Sequence, residues 1–343
     1  MNLRLLRARS KEQLEKVKAM SNDWLVGVDL GGTTTKLAFL DANGTLLRKW
    51  EIPTDNQNNG RNITINIAKS IDQALDQLDQ PKSKLIGLGI GVPGPVDYAT
   101  GRIHNTVNLG WQDDYPLKEI LETETSLPTF IDNDANCAAL GEMWKGAGNG
   151  AKDLVCVTLG TGVGGGIITN GNIVQGAGGA AGEIGHIASE PNEGAICNCG
   201  KRGCLETIAS ATGIVRTATE KLRDSQDKLG LLGIKYKQKG TVTAKDVFDC
   251  AREGDIISKE VVEEVSFHLG LALANLANIL NPEKIVLGGG VAKAGSVLLD
   301  KVQLYFEEFS FSSVRESTKL SLAVLGNDAG VIGAAWLVKN KLK

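Results

Sequence analysis

Apolar and polar positions change their period several times along the chain, and the changes mark its elements. From Trp24 to Leu30 the residues are apolar but for Gly27 and Asp29. A turn Gly31-Gly32-Thr33-Thr34 follows, and Lys36 to Leu40 is a second apolar segment ending at Asn43-Gly44. Short apolar runs bounded by Gly and by Asn-Gly predict a hairpin of two strands. From about Ile63 to Leu78 the period becomes helical, with Ile67, Ile71, Ala74, Leu75 and Leu78 on one face, and the continuous run Leu85 to Ile90 predicts a buried strand. The stretch Phe130-Ile131-Asp132-Asn133-Asp134 leads from an apolar strand into a helix from Ala135 to Lys145. Strand and helix in alternation predict an α/β layer.

The opening pattern then returns. Leu154 stands 154 − 24 = 130 positions after Trp24 and begins a strand to Leu159, followed by the turn Gly160-Thr161-Gly162-Val163-Gly164-Gly165 and a strand Gly166 to Thr169 closed by Asn170-Gly171. Two copies of strand, Gly/Thr turn and strand predict two similar units facing one another across a cleft. Glu263 to Leu280 reads as a strongly apolar helix stopped at Asn281-Pro282. The strand Lys284 to Leu287, the triplet Gly288-Gly289-Gly290 and a last helix from about Asp328 to Leu342 complete the chain.

Glycine sharpens this picture: 42 of 343 residues are Gly, well above the usual ~7%, and they cluster inside apolar runs, as backbone built to approach a ligand closely would require. Charge removes one class of partner. Lys plus Arg is 37 against 40 Asp plus Glu, a net of −3, without the basic excess that nucleic-acid binding needs. No apolar run reaches the ~18 residues of a membrane span, and no signal-peptide core opens the chain, so a cytoplasmic protein is expected. Residues 1 to 20 carry Arg4, Arg7, Arg9, Lys11, Lys16 and Lys18 and read as a short basic amphipathic helix to which no function is given.

Two stretches fit G-x-G-x-x-G, at Gly89, Gly91, Gly94 and at Gly160, Gly162, Gly165. The dinucleotide fingerprint must open a helix, whereas the first is followed by Pro95 and a loop and the second by a strand, so a nicotinamide cofactor is not expected. Gly/Thr hairpin turns can instead aim backbone N–H groups and hydroxyls at phosphate oxygens. Asp29 before the first turn offers a carboxylate for hydrated Mg²⁺ and Lys36 beyond it a positive charge, against the plainer reading of a tight turn and a surface lysine. With the third cluster at Gly288 to Gly290, the three loops favour ATP.

Cys197, Cys199 and Cys204 read C-x-C-x₄-C, with His186 eleven residues before the first. Three thiolates and an imidazole make a closed tetrahedral set, the composition of a structural Zn²⁺ site, with a redox thiol cluster as the alternative. Folding that loop would hold Glu183 and Glu206 close by, suited to accept from the hydroxyls of a polyol unless they are merely surface charges. Asp132-Asn133-Asp134 at the start of a helix supplies three capping residues where one suffices. Asp134 is thus open to either reading, a cap or a general base taking a proton from a hydroxyl.

Taken together, Asp29-Leu-Gly-Gly-Thr-Thr-Thr-Lys36, Val92-Pro93-Gly94-Pro95, Asn108-Leu-Gly-Trp111, Asn133-Asp134-Ala-Asn136, Gly182-Glu-Ile-Gly-His186 and Cys197-Asn-Cys-Gly-Lys-Arg-Gly-Cys-Leu-Glu206 resemble the motifs of the ROK family, in order, from Trp24 to the C-terminus. The resemblance implies the actin-like ATPase and sugar kinase fold, a duplicated ribonuclease-H-like unit in two α/β lobes. The small lobe would comprise 24–133 plus 328–343 and the large one 134–327, with its zinc loop at 186–206 and residues 1–23 outside. It implies phosphorylation of glucose by ATP with Mg²⁺, in a homodimer. Asp134 would take the proton from the 6-hydroxyl, while Gly94, Asn108, Asn133, Glu183, His186 and Glu206 would line the sugar, His186 also ligating zinc with Cys197, Cys199 and Cys204. Asp29, Gly31, Gly32, Thr33, Thr34 and Lys36, with Thr161, Gly162 and Gly164, would serve the phosphates, and Gly288, Gly289 and Gly290 the adenosine.

Two alternatives stay open. The same motifs serve kinases for N-acetylmannosamine, N-acetylglucosamine or fructose, and polyphosphate can replace ATP as donor. The sugar-responsive repressors of the family carry a helix-turn-helix domain before the first phosphate loop, for which 23 residues leave room for one helix only.

Overall fold

The computed structural model describes residues 23–104, 109–224 and 230–342. The expected basic helix within residues 1–20, and Asn108, lie outside them. The described chain divides into two compact units, one holding the residues up to Lys145, Gly176–Gly179 and those from Asn327 on, the other Gly146–Gln175 and Ala180–Gly326.

The first unit is built on the sheet β3-β2-β1-β4-β7, with β1 Trp24–Leu30, β2 Thr34–Asp41, β3 Leu46–Pro53, β4 Leu85–Val92 and β7 Thr129–Asn133. A small two-stranded piece, β5 Val96–Asp97 and β6 Arg102–Ile103, follows β4. β1 is antiparallel to β2 and parallel to β4, and β4 is parallel to β7. The central strand is apolar on both faces, Leu25, Val26, Val28 and Leu30 being at most 1% exposed, as a strand covered on two sides must be. β3, at the edge, alternates Lys49 and Glu51 to solvent with Trp50 and Ile52 inward.

The helix Asp134–Lys145 belongs to this unit, which carries the boundary past the expected 133 to Lys145. The reason is backbone-to-backbone packing against the C-terminal helix Ala329–Lys341. A Cβ on Gly333 would overlap the Cys137 carbonyl, and one on Gly141 the Ala329 carbonyl. The C-terminal helix lies as closely on the sheet, since a Cβ on Gly27 would overlap the Val331 carbonyl and one on Gly89 the Ala334 carbonyl. Gly89, which the dinucleotide pattern picks out, is therefore a helix-on-sheet contact.

The second unit repeats the topology in the sheet β10-β9-β8-β11-β12, with β8 Leu154–Leu159, β9 Val163–Thr169, β10 Asn172–Ile173, β11 Lys284–Gly288 and β12 Lys319–Leu322. Again the first strand is antiparallel to the second and parallel to the fourth. Its core joins Val155, Val157, Ile285 and Leu287 of the sheet to Val261, Val265, Leu269 and Leu273 of the long helix Ile256–Leu280. That helix starts seven residues before the expected Glu263. Asp255 caps it by accepting from the Ser258 N–H at 2.8 Å. Both hairpin turns are also tighter than expected: Thr34 and Thr35 already belong to β2, and Val163, Gly164 and Gly165 to β9. Among the described residues no helix is long and apolar enough to cross a membrane.

Candidate active site

Asp134 stands where β7 ends and its helix begins. The three capping residues divide the work. Asn133 Oδ1 is the cap, accepting from the N–H groups of Ala135 at 2.9 Å and Asn136 at 3.3 Å. Asp134 Oδ1 shares the Ala135 N–H at 2.8 Å. Asp132, 1% exposed, turns inward, where its Oδ1 accepts from the Asn133 N–H at 2.8 Å, Asn136 Nδ2 at 2.8 Å and the Tyr98 hydroxyl at 3.0 Å. Burial, and then the Asp132 charge, push the Tyr98 hydroxyl far above its ordinary pKa, so it remains a donor. Asn133 Nδ2 donates to the Gly94 carbonyl at 3.3 Å, bringing two of the expected sugar-side residues together.

In the first phosphate loop, the carbonyls are turned to one side. Gly31 O accepts from Thr54 Oγ1 at 2.7 Å, Gly32 O from Asn56 Nδ2 at 2.8 Å and Thr33 O from the Thr54 N–H at 3.0 Å. In a trans peptide the N–H opposes the carbonyl, so the N–H groups of Gly32 and Thr33 point away from that segment, as donors for an anion should. Asp29 and Lys36 face each other across the hairpin, Lys36 Nζ at 3.2 Å from Asp29 Oδ2. The Asp29 carboxylate also rests on the C-terminal helix, where a Cβ on Gly330 would lie 2.8 Å from its Cγ.

The second phosphate loop is fastened to the cysteine loop by Glu206. Its Oε2 accepts from the Val163 N–H at 2.9 Å, and a Cβ on Gly162 would overlap that same oxygen. Its Oε1 lies 3.6 Å from Cys197 Sγ. Thr161 O accepts from Thr212 Oγ1 at 2.8 Å. A cavity of about 340 Å³ opens beside this turn, lined by Thr161, Gly162, Cys197, Glu206, Thr212 and Arg216. Gly288 ends β11, and Gly289 at φ +85° is followed by a single helical turn to Ala292. A Cβ on Gly289 would overlap the Leu159 carbonyl, whereas Gly290 faces open space.

His186, Cys197, Cys199 and Cys204 bring their donor atoms within 4.8 Å of one another. His186 Nδ1 is 3.7 Å from Cys197 Sγ, and Cys199 Sγ is 3.6 Å from Cys204 Sγ. A tetrahedral Zn²⁺ with Zn–S near ~2.3 Å has ligand-to-ligand edges of roughly 3.8 Å, so the set fits the ion in number, kind and spacing. Burial pushes the Cys197 thiol up to about 12 and raises that of Cys204, while the Lys201 N–H lowers that of exposed Cys199. Buried thiols that resist ionisation alone are what a cation would offset. The knuckle is held at its base by backbone bonds from the N–H groups of Ser189 and Glu190 to Gly203 O. Glu183 Oε2 stands 3.9 Å from His186 Nε2.

Sequence reasoning does not single out Thr54 and Asn56 behind the first loop, Thr212 and Arg216 beside the second, or Tyr98 beneath Asn133. No local spacing marks them, because each acts through a contact with a distant segment.

A sequence model of the ROK family matches residues 25–341. A glucokinase of Halalkalibacterium halodurans is 55% identical over 322 residues, covering 94% of this chain and 97% of that one. A glucokinase of Thermotoga maritima is 36% identical over 321 residues, covering 93% and 98%. Among solved structures, a ROK family glucokinase of Streptomyces griseus in complex with glucose and AMPPNP is 33% identical and superposes with a TM-score of 0.74, covering 92% of this chain and 99% of that one.

Proposed function

The chain belongs to the ROK family, and from that premise we infer that it transfers the γ-phosphoryl group of ATP to the 6-hydroxyl of glucose, giving glucose 6-phosphate and ADP. The observation that carries the residue assignment is the division of labour at the end of β7. Asn133 caps the helix and Asp132 is buried and turned inward, so of the two carboxylates of the triplet the half-buried one, Asp134, is assigned to the substrate. Asp134 accepts the 6-hydroxyl proton as the oxygen bonds to the γ-phosphorus and ADP leaves. A base of this kind contributes typically ~10² to 10⁴-fold. Phosphoryl transfer otherwise depends on alignment and charge stabilisation.

On this reading Gly94, Asn108 and Asn133, with Glu183, His186 and Glu206, hold the remaining sugar hydroxyls. The N–H groups of Gly32 and Thr33, with Thr161, Gly162 and Gly164 of the second turn, face the phosphates. Asp29 is the carboxylate that would hold hydrated Mg²⁺, which supplies charge neutralisation when bound, and Lys36 sets its direction from 3.2 Å. Gly288 to Gly290 would lie by the adenosine. Zn²⁺ held by His186, Cys197, Cys199 and Cys204 has no open position and would fix the loop carrying Glu183 and Glu206. A homodimer belongs to the same reading, and the partly exposed cluster of Phe267, Tyr305 and Phe309 supplies an aromatic surface of the kind interfaces use.

The test is a panel of glucose, fructose, N-acetylmannosamine and N-acetylglucosamine with ATP or polyphosphate as donor, read by product identity, with zinc measured on the same preparation. Glucose with ATP turns over best, at one zinc per chain. Preference for another sugar or for polyphosphate would overturn the specificity, and no turnover with any pair would overturn the kinase reading.

A further inference from the structure

Asp132 is the one member of the Asp-Asn-Asp triplet that the proposed chemistry does not use, and it is the most buried. It sits at the penultimate position of β7, paired in register with Gly91 of β4. An ionised carboxylate in such a place is costly unless hydrogen bonds compensate its lost hydration. Here one oxygen gathers three donors from three parts of the first unit. The Tyr98 hydroxyl comes from the segment after β5, Asn136 Nδ2 from the first turn of the helix, and the Asn133 N–H from the chain itself. Asn136, 2% exposed, also lies with its Nδ2 at 3.2 Å from the Tyr98 oxygen, so the three side chains close a triangle. Asn136 Oδ1 has no hydrogen-bond partner among the described residues, so the donors of this side chain and not its acceptor fix its place.

The triangle brackets Asp134. Asn133 is fixed through its backbone N–H, its cap bonds and its bond to Gly94 O. Asn136 is fixed through its side chain and, by Asn133 Oδ1, through its N–H. The residue before the base and the one two positions after it thus have their backbone N–H groups pinned, and the direction in which Asp134 leaves the helix is set by them. An apolar residue at 132 would satisfy the strand's burial equally well, but would remove the acceptor of the Tyr98 hydroxyl and the nearer of the two acceptors of Asn136 Nδ2.

We propose that Asp132, with Tyr98 and Asn136, is a positioning network that holds the carboxylate of Asp134 in the orientation the phosphoryl acceptor requires. The proposal rests on the reading of Asp134 as the base. Asp132→Asn keeps the volume and loses the charge, and Tyr98→Phe removes the hydroxyl that donates to Asp132 and accepts from Asn136. Both are made alone and in the background of Asp134→Asn, and kcat and both KM values are measured on protein whose thermal unfolding shows it folded. Asp132→Asn lowers kcat at least 10-fold and Tyr98→Phe about threefold, with the KM values for glucose and ATP within twofold of wild type. In the Asp134→Asn background neither change lowers the residual rate further, because the network acts through the missing carboxylate. If Asp134→Asn loses ~10²-fold while Asp132→Asn keeps wild-type kcat, or if Asp132→Asn costs the same factor in both backgrounds, the network is structural and the proposal fails. If Asp134→Asn itself retains full kcat, the reading of the base has failed instead.

Discussion

Glycine 162 has no side chain because the carboxylate of Glu206 occupies the space a Cβ would need. That oxygen is held by the Val163 N–H, so it cannot yield without giving up a charge-assisted hydrogen bond. Gly162→Ala is therefore expected to displace Glu206 and raise the KM for glucose about 10-fold or more, since such bonds contribute ~1.5–3 kcal/mol. An unchanged KM in steady-state assays would mean that Glu206 does not hold the sugar. At this scale the sequence is legible wherever chemistry travels with residue type. Three cysteines and a histidine predict a gathering of donor atoms that the fold brings within 4.8 Å of one another, and Asp134 is marked as a candidate base by counting caps. The bond from Val163 to Glu206 spans 43 positions and leaves no local trace. The roles of Thr54 and Asn56 are hidden in the same way, as acceptor–donor matches made only by tertiary folding.

Among the elements, the helix Asp134–Lys145 is held by the C-terminal helix at a distance that only glycine permits, with Gly333 against the Cys137 carbonyl and Gly141 against that of Ala329. Gly333→Ala should force the two helices apart. The expected cost is about 2–3 kcal/mol, seen as a melting temperature lowered by several degrees. Because Cys137 lies one turn from Asp134, kcat should fall as well. A variant as stable as wild type in calorimetry would contradict the close packing. Strand and helix existence is legible here, and β1 and β8 have the bounds their apolar runs indicate. Helix starts are less so. In Ile256–Leu280 the first two turns are amphipathic, Ser258, Lys259 and Glu260 interrupting the apolar face, and the dense run that draws the eye begins only near Val265. The packing of two helices through glycines carries no hydrophobic signal at all, which is why the unit boundary falls at Lys145 and not at Asn133.

The whole molecule is one topology used twice. Each unit orders its sheet with the first strand at the centre, two antiparallel neighbours on one side and two parallel strands on the other. In each, the turn between the first two strands is a glycine loop. The repeat of strand, Gly/Thr turn and strand is enough to foresee this, because a tight turn between two strands has a strict composition. The strand order itself comes from pairings between distant segments, β1 with β4 and β8 with β11. The account of function joins these levels in a single claim, that the carboxylate of Asp134 removes the proton from the hydroxyl that is phosphorylated. The most direct test compares kcat for glucose with ATP in wild type and Asp134→Asn, on zinc-loaded protein whose glucose affinity is measured separately by calorimetry. The account predicts a loss of at least ~10²-fold in kcat with glucose still bound. A folded, zinc-loaded variant that keeps wild-type turnover would contradict it.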